Sequence, residues 1–312
     1  MSAIDLAIIM FLLILVGYVC RKTKVVDEHF GKSLSSFIFN IVFPAIIINS
    51  MNISFDKSDL NNSVILIIVS AGTMLIMYII AKMFNLITRK KDALSRIITF
   101  GLMFPNFTFM AFPVMETLFP EKGLFYISMY TIATRFAIYI LGPLIMKPKN
   151  ETAGRGKLVA EGLKSLLTPP VIAIPIGLLL YFTGITLPVP IHETLANIAR
   201  TATPLGMVVS GILLAEVSLK HLFGETRLYL LTFMRLIVAP VLIYFLLLPF
   251  HLDPIVLKIS VLFCALPIAS STSIFAIKFK ADSVNAAGSV FLSTVFSMIT
   301  VPICAYILEL VV

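Results

Sequence analysis

The chain has 312 residues, of which 59% are hydrophobic and only 13% charged, with a formal net charge of +8. A soluble globular domain carries about 25% charged residues, so a soluble enzyme or binding domain is excluded and a polytopic membrane protein is implied. The net positive charge would suggest a nucleic-acid partner in a soluble domain, but its distribution over the loops makes that reading unnecessary.

Apolar runs long enough to cross a hydrocarbon core of about 30 Å occur at residues 4–20, 33–51, 64–86, 97–118, 123–146, 166–185, 195–215, 228–250, 254–277 and 284–311. They predict an all-α bundle of ten transmembrane helices. The first run lacks a basic leading segment and a small-residue cleavage site, and Arg21, Lys22 and Lys24 follow it at once. It is therefore expected to stay in the membrane as a span.

With the N-terminus outside, the inner loops hold Arg21, Lys22, Lys24, Lys32, Arg89, Lys90, Lys91, Arg96, Lys147, Lys149, Arg155, Lys157, Lys164, Lys220, Arg227, Lys278 and Lys280. The outer loops hold Lys57, Lys122 and Arg200. This asymmetry follows the positive-inside rule and predicts both termini on the extracytoplasmic face of the plasma or inner membrane.

The most hydrophilic connection, residues 147–165, divides the spans evenly. Five spans before it and five after it give the second half the opposite orientation, the arrangement of an inverted repeat. The expected organisation is a first repeat over 1–146, a cytoplasmic linker over 147–165 and a second repeat over 166–312. Two proline pairs support it. Pro44 in the second span is matched by Pro204 in the seventh, 160 residues on, and Pro105 in the fourth by Pro267 in the ninth, 162 residues on.

Proline has no amide hydrogen and collides with the carbonyl one turn back, so the fourth and ninth helices are expected to break. Broken backbone at membrane depth must be buried in protein or line a wet cavity. New half-helices beginning at Pro105 and Pro267 would present the amides of Asn106, Phe107 and Thr108, and of Ile268, Ala269 and Ser270. Such N-termini attract anions, and a carboxylate is the simplest ligand to suit them. Asn106 and the cluster Ser270, Ser271, Thr272 and Ser273 add polar side chains, whereas the plainer alternative is two prolines that only kink packed helices. Pro113 reads as a kink near the outer end.

Charges at membrane depth are scarce and informative. Arg135 lies near the centre of span 5, where it could meet a substrate carboxylate, the carbonyl ends of a broken helix, or structural backbone acceptors. Arg235, one to two turns into span 8, is expected to reach the interface or a loop carboxylate. No span holds an Asp or Glu near its centre, since Asp5, Glu116, Glu216 and Glu309 lie towards ends. Cys20, Cys264 and Cys304 lack paired spacing and read as core residues. His29, His192, His221 and His251 have no metal-ligand spacing, and there is no P-loop. No enzyme activity, metal or cofactor is expected.

The segments GYVCRKTKVVD at span 1, FNIVFPAIII in span 2, FPNFTFMAFP in span 4, LTPPVIAIPIGLLL in span 6, TPLGMVVSGILL in span 7 and LPIASSTSIFAIKFKAD in span 9 together resemble the auxin efflux carrier family. That family includes the plant PIN transporters and bacterial permeases for small dicarboxylates. The resemblance implies ten helices in two inverted repeats. Helices 1, 2, 6 and 7 would form a scaffold able to dimerise, and helices 3–5 and 8–10 a transport domain in which broken helices 4 and 9 cross. It places substrate at Pro105, Asn106, Phe107, Thr108, Pro267, Ile268, Ala269, Ser270 and Ser271, with Asn106 matching a family contact to the substrate carboxylate. Arg135 joins them by its depth, and Asn40, Pro44 and Pro204 are candidates on the scaffold side.

Thr108 and Ala111 stand where bacterial members carry glycine, Arg135 where an uncharged polar residue is usual, and span 3 offers Ser70 and Thr73 in place of an aspartate. These departures point away from plant auxin. The expected function is a carrier or uniporter of a small organic anion, a mono- or dicarboxylate, working by elevator-like alternating access. A sodium-coupled organic-anion symporter and a non-transporting receptor or channel stand as alternatives.

Overall fold

The computed structural model describes residues 3–53, 56–87, 92–147, 155–164, 166–216 and 225–312. Helix α1 (Ala3–Lys22) leads to α2 (Phe30–Phe37), a π-helical turn (Ile38–Val42) and α3 (Phe43–Met51). Then come α4 (Lys57–Ile87), α5 (Ala93–Met103), a second π turn (Phe107–Ala111), α6 (Phe112–Leu118), α7 (Gly123–Met146) and α8 (Arg155–Lys164). The rest comprises α9 (Pro169–Thr183), α10 (Val189–Arg200), α11 (Ala202–Ala215), α12 (Thr226–Phe233), a third π turn (Met234–Val238) and α13 (Ala239–Leu247). It ends with α14 (Pro254–Ala265), α15 (Ser271–Lys278) and α16 (Ser283–Val311). Among the described residues there is no strand, and the fold is all-α. Among the described residues, six continuous helical segments are long and apolar enough to cross a membrane: Phe30–Met51, Lys57–Ile87, Gly123–Met146, Val189–Ala215, Thr226–Phe250 and Ser283–Val311. Shorter apolar helices include Ala93–Met103, Phe107–Leu118, Pro169–Thr183 and Pro254–Ala265.

The chain divides into two compact units. The first comprises Met1–Ile67, Thr108–Ile132 and Leu167–Glu216. Here α1 lies on α11 and α3 on α9 and α10. The α1–α11 seam is closed by glycine: a Cβ on Gly17 would stand 2.0 Å from the Val208 carbonyl oxygen, and one on Gly211 1.9 Å from that of Ile14. Small residues let membrane helices approach backbone to backbone, where packing rather than water exclusion holds them together. The rings of Phe43 and Phe112 meet tilted at 5.3 Å between centroids, and Thr203 Oγ1 donates to Glu116 Oε2 at 2.5 Å.

Pro44 is the second residue of α3 and Pro204 the third of α11, each inside a longer continuous helical segment, Phe30–Met51 and Val189–Ala215, where a proline leaves one backbone bond unmade. Asn40 is exposed and donates to Ser36 of its own helix. Because α4 begins at Lys57 rather than near 64, Asp59 lies in its first turn, only 2% exposed. It accepts from Lys122 Nζ at 2.8 Å and from Tyr126 Oη at 2.6 Å. That hydrogen bond to Asp59 holds the Lys122 ammonium above the ordinary lysine range.

The second unit comprises Ile68–Phe107, Ala133–Leu166 and Val217–Val312. Its centre is α16, against which α5, α12, α14 and α15 pack. Ser70 on α4 and Thr134 on α7 share a hydrogen bond of 3.2 Å, fully buried. Three aspartates start helices here. Asp92 accepts from the Ser95 amide at the head of α5, Asp253 from Ile255 at α14, and Asp282 from Asn285 at α16. Each supplies an acceptor for one of the orphan amides of a first turn.

Candidate functional site

The residue before a proline is pushed out of the helical region towards extended backbone. Phe104, before Pro105, adopts φ −114° and ψ 107°, and Leu266, before Pro267, adopts φ −66° and ψ 148°. Helices α5 and α14 therefore end at Met103 and Ala265. The two extended segments meet as an antiparallel bridge between Pro105 and Ile268. The Asn106 amide donates to the Pro267 carbonyl at 2.7 Å and the Ala269 amide to the Phe104 carbonyl at 3.1 Å. From α16, Ser293 Oγ accepts the Ile268 amide at 3.1 Å. Buried backbone groups released by the two prolines are thus paired with one another, as an interior without water requires.

This corrects the sequence expectation at one point. The half-helices do not begin at the prolines but at Phe107 and Ser271. The amides of Asn106, Ile268 and Ala269 are used by the crossing itself. A bridge between two extended prolyl segments leaves less backbone unpaired than two isolated helix starts would, which is the physical reason for the shift. Thr108 lies in the new first turn after Phe107, and Ser270 caps α15 with Ser271 as its first residue. The Asn106 side chain, 2% exposed, donates from Nδ2 to Ser270 Oγ at 3.3 Å. Thr272 Oγ1 on α15 is buried without a hydrogen-bond partner among the described residues.

Two arginines lie in the same unit, each 1% exposed. Arg135 on α7 places its guanidinium 5.2 Å from the centre of the Phe107 ring. Its Nε and Nη2 have no hydrogen-bond partner among the described residues. Arg235, on the π turn after α12, does not reach the interface or a loop carboxylate as the sequence suggested. Its Nη1 donates to the Leu102 carbonyl at 2.8 Å, its Nε to Leu266 at 3.0 Å and its Nη2 to Phe263 at 3.2 Å. The carbonyl ends of the broken helices, one of the partners considered for Arg135, belong to Arg235.

The roles divide by sign. The negative, carbonyl ends of α5 and α14 are met by Arg235, while the positive ends beginning at Phe107 and Ser271 lie beside Asn106 and Ser270. Sequence reasoning placed Arg235 wrongly and did not single out Ser293. The available signal for Arg235 was a cation inside a span together with two broken helices whose last carbonyls need donors. Ser293 gave none, since serine is common in membrane helices.

Broken, mutually paired helices with buried polar groups in an all-α multi-pass bundle are features of the membrane transporters. A family model described as membrane transport protein matches residues 2–305, and the chain belongs to that family, the auxin efflux carriers. It is 23% identical over 313 residues to an uncharacterized transporter of Methanothermobacter thermautotrophicus, covering 99% of each chain. It is 24% identical over 315 residues to one of Methanocaldococcus jannaschii, again covering 99% of each. With the uncharacterized transporter YfdV of Escherichia coli K12 it shares 23% identity over 307 residues, 96% of this chain and 95% of the relative.

Proposed function

We propose that this transporter carries a small organic anion, a mono- or dicarboxylate, bound by Arg135 and Asn106 beside the crossing of the two broken helices. The observation that carries the reading is the guanidinium of Arg135, buried, with two nitrogens that have no hydrogen-bond partner among the described residues. Buried guanidinium donors left without acceptors are unfavourable, and the Phe107 ring offers the charge no hydrogen-bond acceptor of that strength. A carboxylate supplies both the opposite charge and the two acceptors that a guanidinium fork takes in parallel. Phe107, whose ring lies under that guanidinium, is the residue after Asn106 and the first of the half-helix. The helix dipole there adds to the attraction for an anion.

The substrate set comprises Pro105, Asn106, Phe107, Thr108, Arg135, Pro267, Ile268, Ala269, Ser270 and Ser271. The two prolines, Ile268 and Ala269 shape the site through their backbone. Thr108, Ser270 and Ser271 supply hydroxyls. Elevator-like alternating access is the proposed cycle. Helices 1, 2, 6 and 7 act as the scaffold, with Asn40, Pro44 and Pro204 on it, and helices 3–5 and 8–10 as the moving part, in two inverted repeats over 1–146 and 166–312. Pro105–Phe107, Arg135 and the segment from Pro267 to Ser271 fall in one compact unit, whereas Thr108–Ile132 of helices 4 and 5 group with the scaffold helices.

The test is thermal unfolding of the purified protein with a panel of mono- and dicarboxylates. A ligand present at 100 times its Kd stabilises the native state by about 2.7 kcal/mol. At least one carboxylate is expected to raise the melting temperature of the wild type and to leave that of Arg135→Gln unchanged. Equal stabilisation of the two would remove Arg135 from the site.

A further inference from the structure

We propose that the guanidinium of Arg235 is a built-in counter-cation for the crossing, so that transport by this chain requires no sodium ion bound there. In transporters with discontinuous helices, unwound carbonyls and half-helix C-terminal ends are where coupling cations are coordinated. Here those oxygens are already taken. Leu102 is the next-to-last residue of α5, Phe263 lies in the last turn of α14, and Leu266 is the residue that caps α14. Their three carbonyl oxygens accept from three different nitrogens of one side chain, at 2.8, 3.2 and 3.0 Å. One planar cation thus joins the negative ends of both broken helices.

Two further observations support the assignment. Arg235 lies in a π-helical turn, Met234–Val238, and such single-turn insertions in α-helices are frequent at functional positions. A cavity of about 10 Å³, close to the smallest that holds one water, is lined in part by Arg235, with Thr73 its one hydroxyl-bearing residue beside Met74, Met77, Met103 and Cys264. Thioether and thiol sulfurs are soft donors, whereas alkali and alkaline-earth cations take oxygen. A sodium ion placed there would meet the guanidinium charge and few hard ligands.

This inference is independent of the anion proposed above, because it concerns the cation at the crossing and can be tested without substrate. The experiment follows thermal unfolding and labelled-sodium binding of the purified protein in sodium, potassium and choline chloride at equal ionic strength. The wild type is expected to melt at one temperature in all three salts and to show no saturable sodium binding. Arg235→Gln is expected to melt several degrees lower in choline and to recover part of that loss in sodium, which a purely packing role would not give. Arg235→Lys, which keeps the charge, is expected to remain insensitive to sodium. A wild type that binds sodium saturably and melts higher in it overturns the proposal. So does an Arg235→Gln variant whose deficit is the same in the three salts. Should Arg235→Gln fail to fold, the wild type and Arg235→Lys still decide.

Discussion

Pro105 and Ile268 face one another across an antiparallel bridge, and the amide of Ile268 is satisfied by the hydroxyl of Ser293 on α16. Both residues are buried, Ile268 and Ser293 each at 0% exposure. Removing the hydroxyl leaves a buried amide without an acceptor, at a cost of about 1–3 kcal/mol. Ser293→Ala is therefore expected to lower the melting temperature. Ser293→Thr, which keeps the acceptor, should lower it less, and equal losses in the two would show that the amide finds another partner.

Asn106 is expected to matter for affinity more than for folding. A hydrogen bond to a charged group contributes about 1.5–3 kcal/mol, or roughly 10- to 100-fold in affinity. Asn106→Ala should weaken carboxylate binding by that order, and Asn106→Asp should weaken it further by placing like charge beside the ligand. Titration of ligand against intrinsic fluorescence or melting temperature checks both. Unchanged affinity in a folded Asn106→Ala protein would show that Asn106 serves the crossing alone.

The α1–α11 seam predicts a contrast between two glycines. A Cβ on Gly211 meets the Ile14 carbonyl oxygen at 1.9 Å and the Tyr18 amide nitrogen at 2.8 Å, both backbone atoms that cannot rotate away. Gly211→Ala is expected to cost about 1–3 kcal/mol through forced separation of the helices. Gly72 in α4 has nothing within 4 Å of its ideal Cβ, so Gly72→Ala should be neutral or raise stability by up to about 1 kcal/mol through helix propensity. Melting temperatures of the two variants against wild type decide the matter.

At Asp92, partial burial alone would raise the carboxyl pKa, but the Ser95 amide, the Arg227 guanidinium and the Ser95 hydroxyl together hold it below the ordinary carboxylate value. A group depressed in the folded state contributes stability that is present above the unfolded pKa and lost as pH falls through the folded one. Stability should therefore drop as pH falls below about 4, and less steeply in Asp92→Ala. At neutral pH the variant should lose about 1 kcal/mol, the usual value of a helix cap. The ion pair to Arg227 adds little, because the Asp92 side chain is 43% exposed. Parallel unfolding curves for the two proteins from pH 7 to 3 would contradict this.

Much of the helical layout was legible because apolar runs bounded by basic loops are a strong signal, and the runs at 123–146 and 284–311 fall almost residue for residue on α7 and α16. The breaks at Pro105 and Pro267 were legible for the same kind of reason, since proline removes an amide locally. That the two breaks would hydrogen-bond to each other was not, because pairing between residues some 160 positions apart leaves no mark in a single sequence. Arg235 shows the limit most clearly. Its distance from the span end suggested an exposed head group, and only the carbonyls of Leu102, Phe263 and Leu266 converging from two other helices show why it stays buried.

Counterflow in proteoliposomes distinguishes a carboxylate carrier from a protein that only binds or conducts the anion. Vesicles holding wild-type protein are loaded with an unlabelled carboxylate found to stabilise it, and the same labelled carboxylate is supplied outside at low concentration. Label is expected to accumulate transiently above its external level in wild-type vesicles, and not to do so in vesicles carrying a folded Arg135→Gln variant. Simple equilibration without overshoot in the wild type, or an undiminished overshoot in Arg135→Gln, would contradict that expectation.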